Sequence, residues 1–99
     1  MDEHERRAER ISLRAEIDFR RAGEHRWRVE ILDMSPEGCR VEVPISVGPE
    51  DVIWISFPGL ETIQGKICWV KEWTVGIEFE NPLHPAVFDM LQQRIRGGS

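Results

Sequence analysis

Apolar and polar residues alternate along most of the chain, and this period-two pattern predicts short, half-buried β-strands. In the first such run, Leu13, Ala15, Ile17 and Phe19 are separated by charged residues. Segments that contain glycine or proline separate the runs, as expected for turns between antiparallel strands. The six predicted strands are Leu13–Phe19, Trp27–Ile31, Cys39–Val43, Asp51–Phe57, Glu61–Lys71 and Val75–Phe79.

The pattern changes after Pro85, where apolar residues recur at helical spacing. A proline suits the first turn of a helix, and the pair Gly97-Gly98 is expected to end it. The helical stripe consists of Val87, Met90, Leu91 and Ile95. Because no crossover helix separates the strands, we predict a mainly β fold, a six-stranded antiparallel β-barrel with a C-terminal α-helix. We expect the helix to close one end of the barrel or to pack on its wall.

The length of the chain, 99 residues, is typical of one domain with a single hydrophobic core. Residues 1–10 are charged and lack apolar periodicity, so we expect residues 1–12 to form a flexible N-terminal arm. Residues 13–96 then form the barrel and helix, and residues 97–99 form a tail. The charged N-terminus does not resemble a secretory signal, and no segment has the ~20 apolar residues of a membrane span. We therefore expect a cytoplasmic protein without membrane insertion.

The net charge of −5 is unevenly distributed. Residues 1–28 contain eight arginines and seven acidic residues, whereas the rest of the chain carries five basic and eleven acidic residues. Long DNA or RNA is a poor partner for such an acidic protein, because its binding depends on neutralising many phosphates. A small anion bound by a few clustered arginines agrees with this distribution.

Signatures of catalysis and metal binding are missing from the sequence. It contains no nucleophile-elbow motif and no glycine motif that cradles phosphates, and its acidic residues lack the spacing of a catalytic pair. His4, His25 and His84 lie far from one another and from the cysteines. We therefore predict that the protein is not an enzyme and has no metal site. Cys39 and Cys68 lie in apolar segments, where a free cysteine is expected to pack as a small hydrophobic residue.

The four tryptophans raise the question of base stacking. Trp27 and Trp69 keep phase with the core-facing aliphatic residues of their strands, so we expect both in the core. Trp73 lies in a tight turn and is expected to be the most exposed of the four. It is a candidate for contact with a partner.

Two short segments carry residues suited to binding a nucleotide, and the first is Arg6-Arg7-Ala8-Glu9-Arg10. Arginine is always charged, and its planar fork matches a phosphate or the edge of guanine. Arg6 and Arg10 are four residues apart, so one helical turn or a hooked arm can direct both at one ligand. Taken alone, the cluster is more typical of a solvated, flexible tail than of a binding site.

The second segment is Asp33-Met34-Ser35-Pro36-Glu37-Gly38. Asp33 can accept backbone N–H groups in an Asx turn, Pro36 suits a bend, and Gly38 permits a positive φ or the close approach of another group. An ordinary turn would explain all three. Asp33 is also a suitable acceptor for the N1–H and exocyclic amine of guanine, and Ser35 offers a donor and an acceptor. The residues alone leave both interpretations open.

Together, the two segments resemble the paired motifs of the PilZ domain family. The first resembles its RxxxR motif, and the second its D/N-x-S-x-x-G motif. The first motif precedes a predicted strand, and the second lies about two dozen residues later, between the second and third strands. The resemblance extends over nearly the whole chain, and it implies a six-stranded antiparallel β-barrel.

The resemblance further implies binding of the bacterial second messenger cyclic di-GMP, with no additional cofactor. By this resemblance, Arg6 and Arg10 would contact guanine edges and phosphates from a mobile arm, and Arg7 would add a phosphate contact. Asp33, Ser35 and Gly38 would bind a guanine from the barrel surface, and these three residues complete the set of ligand contacts that the motifs imply. Ordering of the arm would then present a new surface to a downstream protein partner.

Two other functions were weighed against the receptor. One is an adaptor that keeps the barrel, binds a protein partner, and binds nucleotide weakly or not at all. The other is a small barrel that binds nucleic acid, which the negative charge and the expected burial of Trp27 and Trp69 disfavour. The complete match of the five motif positions favours the receptor over the adaptor.

Overall fold

The predicted strands and helix form in the computed structural model of the protein, which describes residues 11–57, 59–60 and 62–97. The strands are β1 (Ile11–Arg21), β2 (Trp27–Ser35), β3 (Gly38–Glu42), β4 (Val52–Ser56), β5 (Ile63–Lys71) and β6 (Thr74–Phe79), and the helix is α1 (Pro85–Gly97). All neighbouring strands are antiparallel in the order β1-β2-β3-β6-β5-β4, and β1 pairs with β4 to close the barrel. The prediction of a six-stranded antiparallel barrel followed by a helix is confirmed.

The interior of the barrel is filled by the apolar residues of the period-two runs. Phe19, Ile31, Ile55, Ile67 and Val75 have no exposed surface, and they come from five of the six strands. Burying such a side chain stabilises the folded state by about 1.5–3 kcal/mol. The alternation in the sequence therefore predicts which residues of each strand face the interior of the barrel, because successive side chains point to opposite faces.

Register shifts break this alternation at three places: on β1 between Ser12 and Ala15, on β2 and on β5. On β2, Ile31 pairs with Val41 but Asp33 pairs with Arg40, so Leu32 has no counterpart on β3. On β5, Ile67 pairs with Ile77 and Trp69 with Gly76, so the register shifts at Cys68. A bulge adds one residue to a strand and reverses the faces of all residues after it.

The bulge on β5 overturns two expectations for this strand. Trp69 is 40% exposed and lies on the outside of the barrel, although its spacing from Ile67 predicted burial. Cys68 is also exposed, whereas Cys39 is buried as expected. Trp27 packs against the core and Trp73 is 60% exposed, as predicted for both.

The C-terminal helix begins at a histidine cap. The N–H of Ala86 donates to Nδ1 of His84 at 3.0 Å, and the N–H of Phe88 donates to the His84 carbonyl at 2.9 Å. Phe88 and Leu91 enter the hydrophobic core, while Val87 and Ile95 are partly buried. Met90 is 38% exposed, so its place in the predicted apolar stripe was wrong. Met90 is rotated about 100° around the helix axis from Leu91 and about 200° from Phe88, so its side chain points away from the core that these two residues enter.

Candidate functional site

The D/N-x-S-x-x-G segment is mostly strand in the structure. Asp33 and Ser35 end β2, Gly38 begins β3, and Pro36 and Glu37 alone form the turn between the paired residues Ser35 and Gly38. The expected Asx turn at Asp33 is therefore wrong, since this residue lies within the ladder opposite Arg40. The hydroxyl of Ser35 supports the turn instead, because its Oγ accepts the N–H of Glu37 at 3.2 Å.

The turn is fastened to the neighbouring part of the barrel by two backbone hydrogen bonds. The N–H of Phe79 donates to the Glu37 carbonyl at 2.9 Å, and the N–H of Leu83 donates to the Pro36 carbonyl at 2.8 Å. The first bond reaches β6, and the second reaches the segment before α1. The side chains on either side of the turn are therefore held by a fixed backbone.

Asp33 is a nearly buried carboxylate that pairs with an exposed arginine. Its side chain is 8% exposed, whereas that of Arg40 is 44% exposed. Nε of Arg40 donates to Oδ2 of Asp33 at 2.8 Å, and Nη2 of Arg40 donates to the same oxygen. The hydrogen bond to Asp33 is the largest cause that raises the pKa of Arg40 above its ordinary value, and the charge of Asp33 adds to it. The pair holds the acid of the motif in a defined position on the barrel.

The glycine of the motif is required by the backbone around it. A Cβ at Gly38 would lie 2.1 Å from the carbonyl oxygen of Ile77 on β6. Gly38 does not have a positive φ, in contrast to Gly23 and Gly59. The sequence predicted either a positive φ at Gly38 or the close approach of another group. The structure shows close approach, and the approaching group is the backbone of β6.

An open cleft of about 600 Å³ lies on the outside of the barrel, beside the motif. One row of paired residues crosses four strands in the order Asp33, Arg40, Gly76 and Trp69. A second row runs parallel to it in the order Ser35, Gly38, Glu78 and Lys66. Six of these eight residues line the cleft: Ser35, Gly38, Arg40, Trp69, Gly76 and Glu78.

Gly76 makes room for the indole of Trp69 on the sheet. A Cβ at Gly76 would lie 2.2 Å from Nε1 and 2.3 Å from Cε2 of the indole, so the pyrrole ring covers the position of the missing side chain. The floor of the cleft at this point is therefore aromatic. A basic side chain, Arg40, lies on one side of Gly76, and the indole extends from the other.

The structure brings together three of the six predicted site residues. Asp33, Ser35 and Gly38 lie at the ends of two paired strands, and Ser35 is 1% exposed, which limits its contact with a ligand to the edge of its hydroxyl. The other three predicted residues, Arg6, Arg7 and Arg10, lie outside the described residues.

Sequence reasoning missed Arg40, Trp69 and Glu78. The alternation along β3 places Arg40 on the same face as Gly38, and this signal was available in the sequence. Glu78 could have been found in the same way on β6. Trp69 could not, because only the pairing of β5 with β6 reveals the bulge that turns it outward.

The part of the chain that the structure describes contains no cluster of three or more metal-binding side chains. Among the same residues, no helix is both long enough and apolar enough to cross a membrane. A second concavity, of about 340 Å³, lies on β1 and β4, where the guanidinium carbon of Arg20 lies 5.0 Å from the ring centroid of Trp54. Its described lining includes neither Asp33, Ser35 nor Gly38.

Comparison with known proteins gives one match. The family model described as PilZ domain matches residues 4–97, which is nearly the whole chain. The matched range includes both the arginine cluster and the strand ends that carry Asp33, Ser35 and Gly38. No curated protein matches the chain.

Proposed function

The chain belongs to the PilZ domain family, and we propose that it is a non-catalytic receptor module for cyclic di-GMP. PilZ domains are known as modules that bind cyclic di-GMP and act as receptors or adaptors. The observation that carries the proposal is the nearly buried carboxylate of Asp33, which pairs with Arg40, a residue on the adjacent strand that lines the open cleft. A carboxylate held in this way is suited to accept the N1–H and amine of a guanine.

The two halves of the proposed site have different roles. Asp33, with Ser35 and Gly38 beside it, forms the fixed half on the barrel. Arg6 and Arg10 form the second half, with Arg7 as an additional phosphate contact, and they bind guanine edges and phosphates from residues 1–12. Two phosphate charges and two guanines suit arginines, because the guanidinium group both pairs with phosphate and stacks on bases. The positive charge of these arginines attracts an anionic ligand even though the rest of the protein is acidic, because charges farther away than the Debye length of about 8 Å are largely screened.

We propose that Arg40 releases the carboxylate of Asp33 when a guanine binds there. Both of the Arg40 hydrogen bonds go to Oδ2, and a guanine edge that offers two parallel N–H donors competes for the same group. The guanidinium is 44% exposed, so it can turn toward the cleft without unpacking the core. In that position it can pair with a ligand phosphate, and its positive charge stays in the site.

Signalling in this proposal comes from the arm. Binding orders residues 1–10, which precede β1, over the barrel and presents a new surface to a downstream protein partner. Ile11 and Ser12, which we predicted as part of the arm, already pair with β2. Hydrogen exchange with and without cyclic di-GMP tests this step, and increased protection of residues 1–10 in the complex is expected. Equal protection in both states would exclude an ordering switch and leave binding itself unaffected.

Calorimetric titration with cyclic di-GMP, with GMP as the control ligand, tests binding. Asp33→Asn keeps the size of the side chain but removes the charge, and Arg10→Ala removes one motif arginine. Both variants are expected to lose most of the affinity, whereas Arg26→Ala, an exposed arginine elsewhere on the barrel, is expected to bind as the wild type does. Micromolar or tighter binding that survives in both motif variants would contradict the site.

One observation favours the adaptor as the second candidate function. Asp33 has a cationic partner in Arg40, and both hydrogen bonds from Arg40 occupy its Oδ2. An adaptor would keep this pair for the stability of the hairpin and bind its protein partner without nucleotide. Absence of heat at millimolar cyclic di-GMP, together with a fully folded protein, would favour the adaptor.

A further inference from the structure

The second concavity, on the outside of β1 and β4, is lined by two arginines and two hydroxyl side chains in an otherwise acidic protein. One of these arginines, Arg20, follows Ile11 by nine residues, a distance of about 30 Å along an extended strand. Ile11 pairs with Met34, which lies inside the D/N-x-S-x-x-G segment. The second concavity therefore lies toward the other end of β1 from that segment, on a separate surface.

Arg20 is held in place by an aromatic ring. It pairs with Trp54 across the β1–β4 ladder, and its guanidinium carbon lies 5.0 Å from the centroid of the indole ring. The ring attracts the cation through its quadrupole, and this contact positions the guanidinium without using its N–H donors. Among the described residues, no carboxylate forms a salt bridge with Arg20. The charge and the donors of Arg20 are therefore available to an anion.

Asp18, the carboxylate among the described lining residues, is shared by two other arginines. Nη1 of Arg26 lies 3.8 Å from Oδ2 of Asp18, and Nε of Arg28 donates to Oδ1 of Asp18 at 3.3 Å. Arg26 extends the register of the β1–β2 ladder, so it lies opposite Arg20. Like charges that lie opposite each other on paired strands destabilise a sheet. The stability of the barrel therefore does not explain two arginines at these positions.

Two hydroxyl groups add to the hydrogen-bond donors of the concavity. Ser56 pairs with Asp18 across the β1–β4 ladder, and its Oγ lies 3.0 Å from Oγ1 of Thr62 in a hydrogen bond. One of the two hydroxyl protons makes this bond, so the other remains for a ligand. Two guanidinium groups and a hydroxyl donor match a carboxylate, which accepts hydrogen bonds at both oxygens and pairs with arginine in a bidentate manner.

We infer that Arg20 and Arg26 form a docking surface for an acidic segment of a partner protein, with a carboxylate side chain seated between the two guanidinium groups. Charge complementarity identifies this occupant, because the two arginines lie together on the outside of a chain whose net charge is −5. The concavity is open and holds about 340 Å³, which suits a side chain of a docked segment. The inference goes beyond the proposed function, because this surface needs no cyclic di-GMP and serves a receptor and an adaptor equally.

Titration of the isotope-labelled chain with a capped tetraglutamate peptide, followed by NMR, tests the docking surface. At an ionic strength of about 0.15 M, acidic residues elsewhere on the barrel repel the peptide little, because the Debye length is about 8 Å. A capped tetraglutamine peptide is the uncharged control. Tetraglutamate is expected to shift the side-chain N–H signals of Arg20 and Trp54, and tetraglutamine is expected to leave both unchanged.

Three variants separate a specific ion pair from general attraction between charges. Arg20→Gln should weaken tetraglutamate binding roughly tenfold, because it removes one partner of a charged hydrogen bond. Lys71→Gln removes the same charge from another exposed position of the barrel and should change the affinity by less than about twofold. Arg20→Lys keeps the charge but not the planar fork, so it should recover only part of the affinity. Equal urea denaturation midpoints for Arg20→Gln and Lys71→Gln show that both are folded.

The absence of shifts at Arg20 and Trp54 at millimolar tetraglutamate would overturn the inference, as would equal binding by Arg20→Gln and Lys71→Gln. Shifts with inorganic phosphate but not with tetraglutamate would replace the docking surface by a phosphate site. Loss of cyclic di-GMP binding in Arg20→Gln would assign the concavity to the nucleotide site and overturn the inference as well. A wild type that binds tetraglutamate through Arg20 but does not bind cyclic di-GMP would support the docking surface and refute the proposed receptor function.

Discussion

The substitution Gly38→Ala tests the structural role of the motif glycine. A methyl group at this position would lie 2.1 Å from the carbonyl oxygen of Ile77, whereas real Cβ contacts stay above 3.0 Å. The obstacle is backbone, so it cannot rotate away as a side chain could. We expect β3 and β6 to move apart by about 1 Å at the end of the barrel where Gly38 pairs with Glu78.

The size of the effect follows from two contributions. Overpacking of a well-filled site costs about 1–3 kcal/mol. The same displacement stretches the hydrogen bond from the N–H of Phe79 to the Glu37 carbonyl, now 2.9 Å, beyond the usual range. Losing that bond costs about 0.5–1.5 kcal/mol. We therefore expect Gly38→Ala to lower the free energy of unfolding by about 2–4 kcal/mol, a fall in Tm of roughly 10 °C or more for a domain of this size.

Gly48→Ala is the matched control for this experiment. A Cβ at Gly48 has no atom within 4 Å, and its φ is not positive. Such a substitution reduces the entropy of the unfolded chain and is expected to stabilise the protein by about 0.4–1 kcal/mol. Urea denaturation followed by tryptophan fluorescence measures both variants. Equal denaturation midpoints for the two would refute the argument that β6 leaves no space for a side chain at Gly38.

Two further predictions concern the helix and the cleft. Leu91→Ala should lower the free energy of unfolding by about 2–5 kcal/mol because Leu91 is fully buried. Met90→Ala should change it by less than about 0.5 kcal/mol because Met90 is exposed. Equal losses for the two variants in urea denaturation would contradict the observed helix orientation. Partial desolvation and the charge of Glu78 raise the pKa of the Cys68 thiol above its ordinary value of 9.0, so the midpoint of its alkylation rate against pH should lie above that value. Glu78→Gln should lower the midpoint of this pH profile, and a wild-type midpoint at or below 9.0 would show that the thiol is not shielded.

The fold could be predicted because its determinants are local. Each strand alternates between an interior that excludes water and an outside that does not, and the helix begins where this spacing changes at Pro85. The site was predicted only in part because its geometry depends on pairing. Asp33 reads as a turn residue in the sequence, but the ladder with β3 makes it the partner of Arg40. Trp69 reads as core, and a single extra residue at Cys68 turns it outward.

The row of Asp33, Arg40, Gly76 and Trp69 has a consequence for the lifetime of the protein. The row exists only after β3 has paired with β6, and this pairing joins segments more than thirty residues apart in the chain. An unfolded or half-folded chain therefore has no such row to offer a ligand. A ligand that binds beside it at a hundred times its Kd would favour the folded state by about 2.7 kcal/mol. Proteases attack unfolded chains, so if the proposed function holds, the concentration of cyclic di-GMP would also set how long each copy of the protein survives.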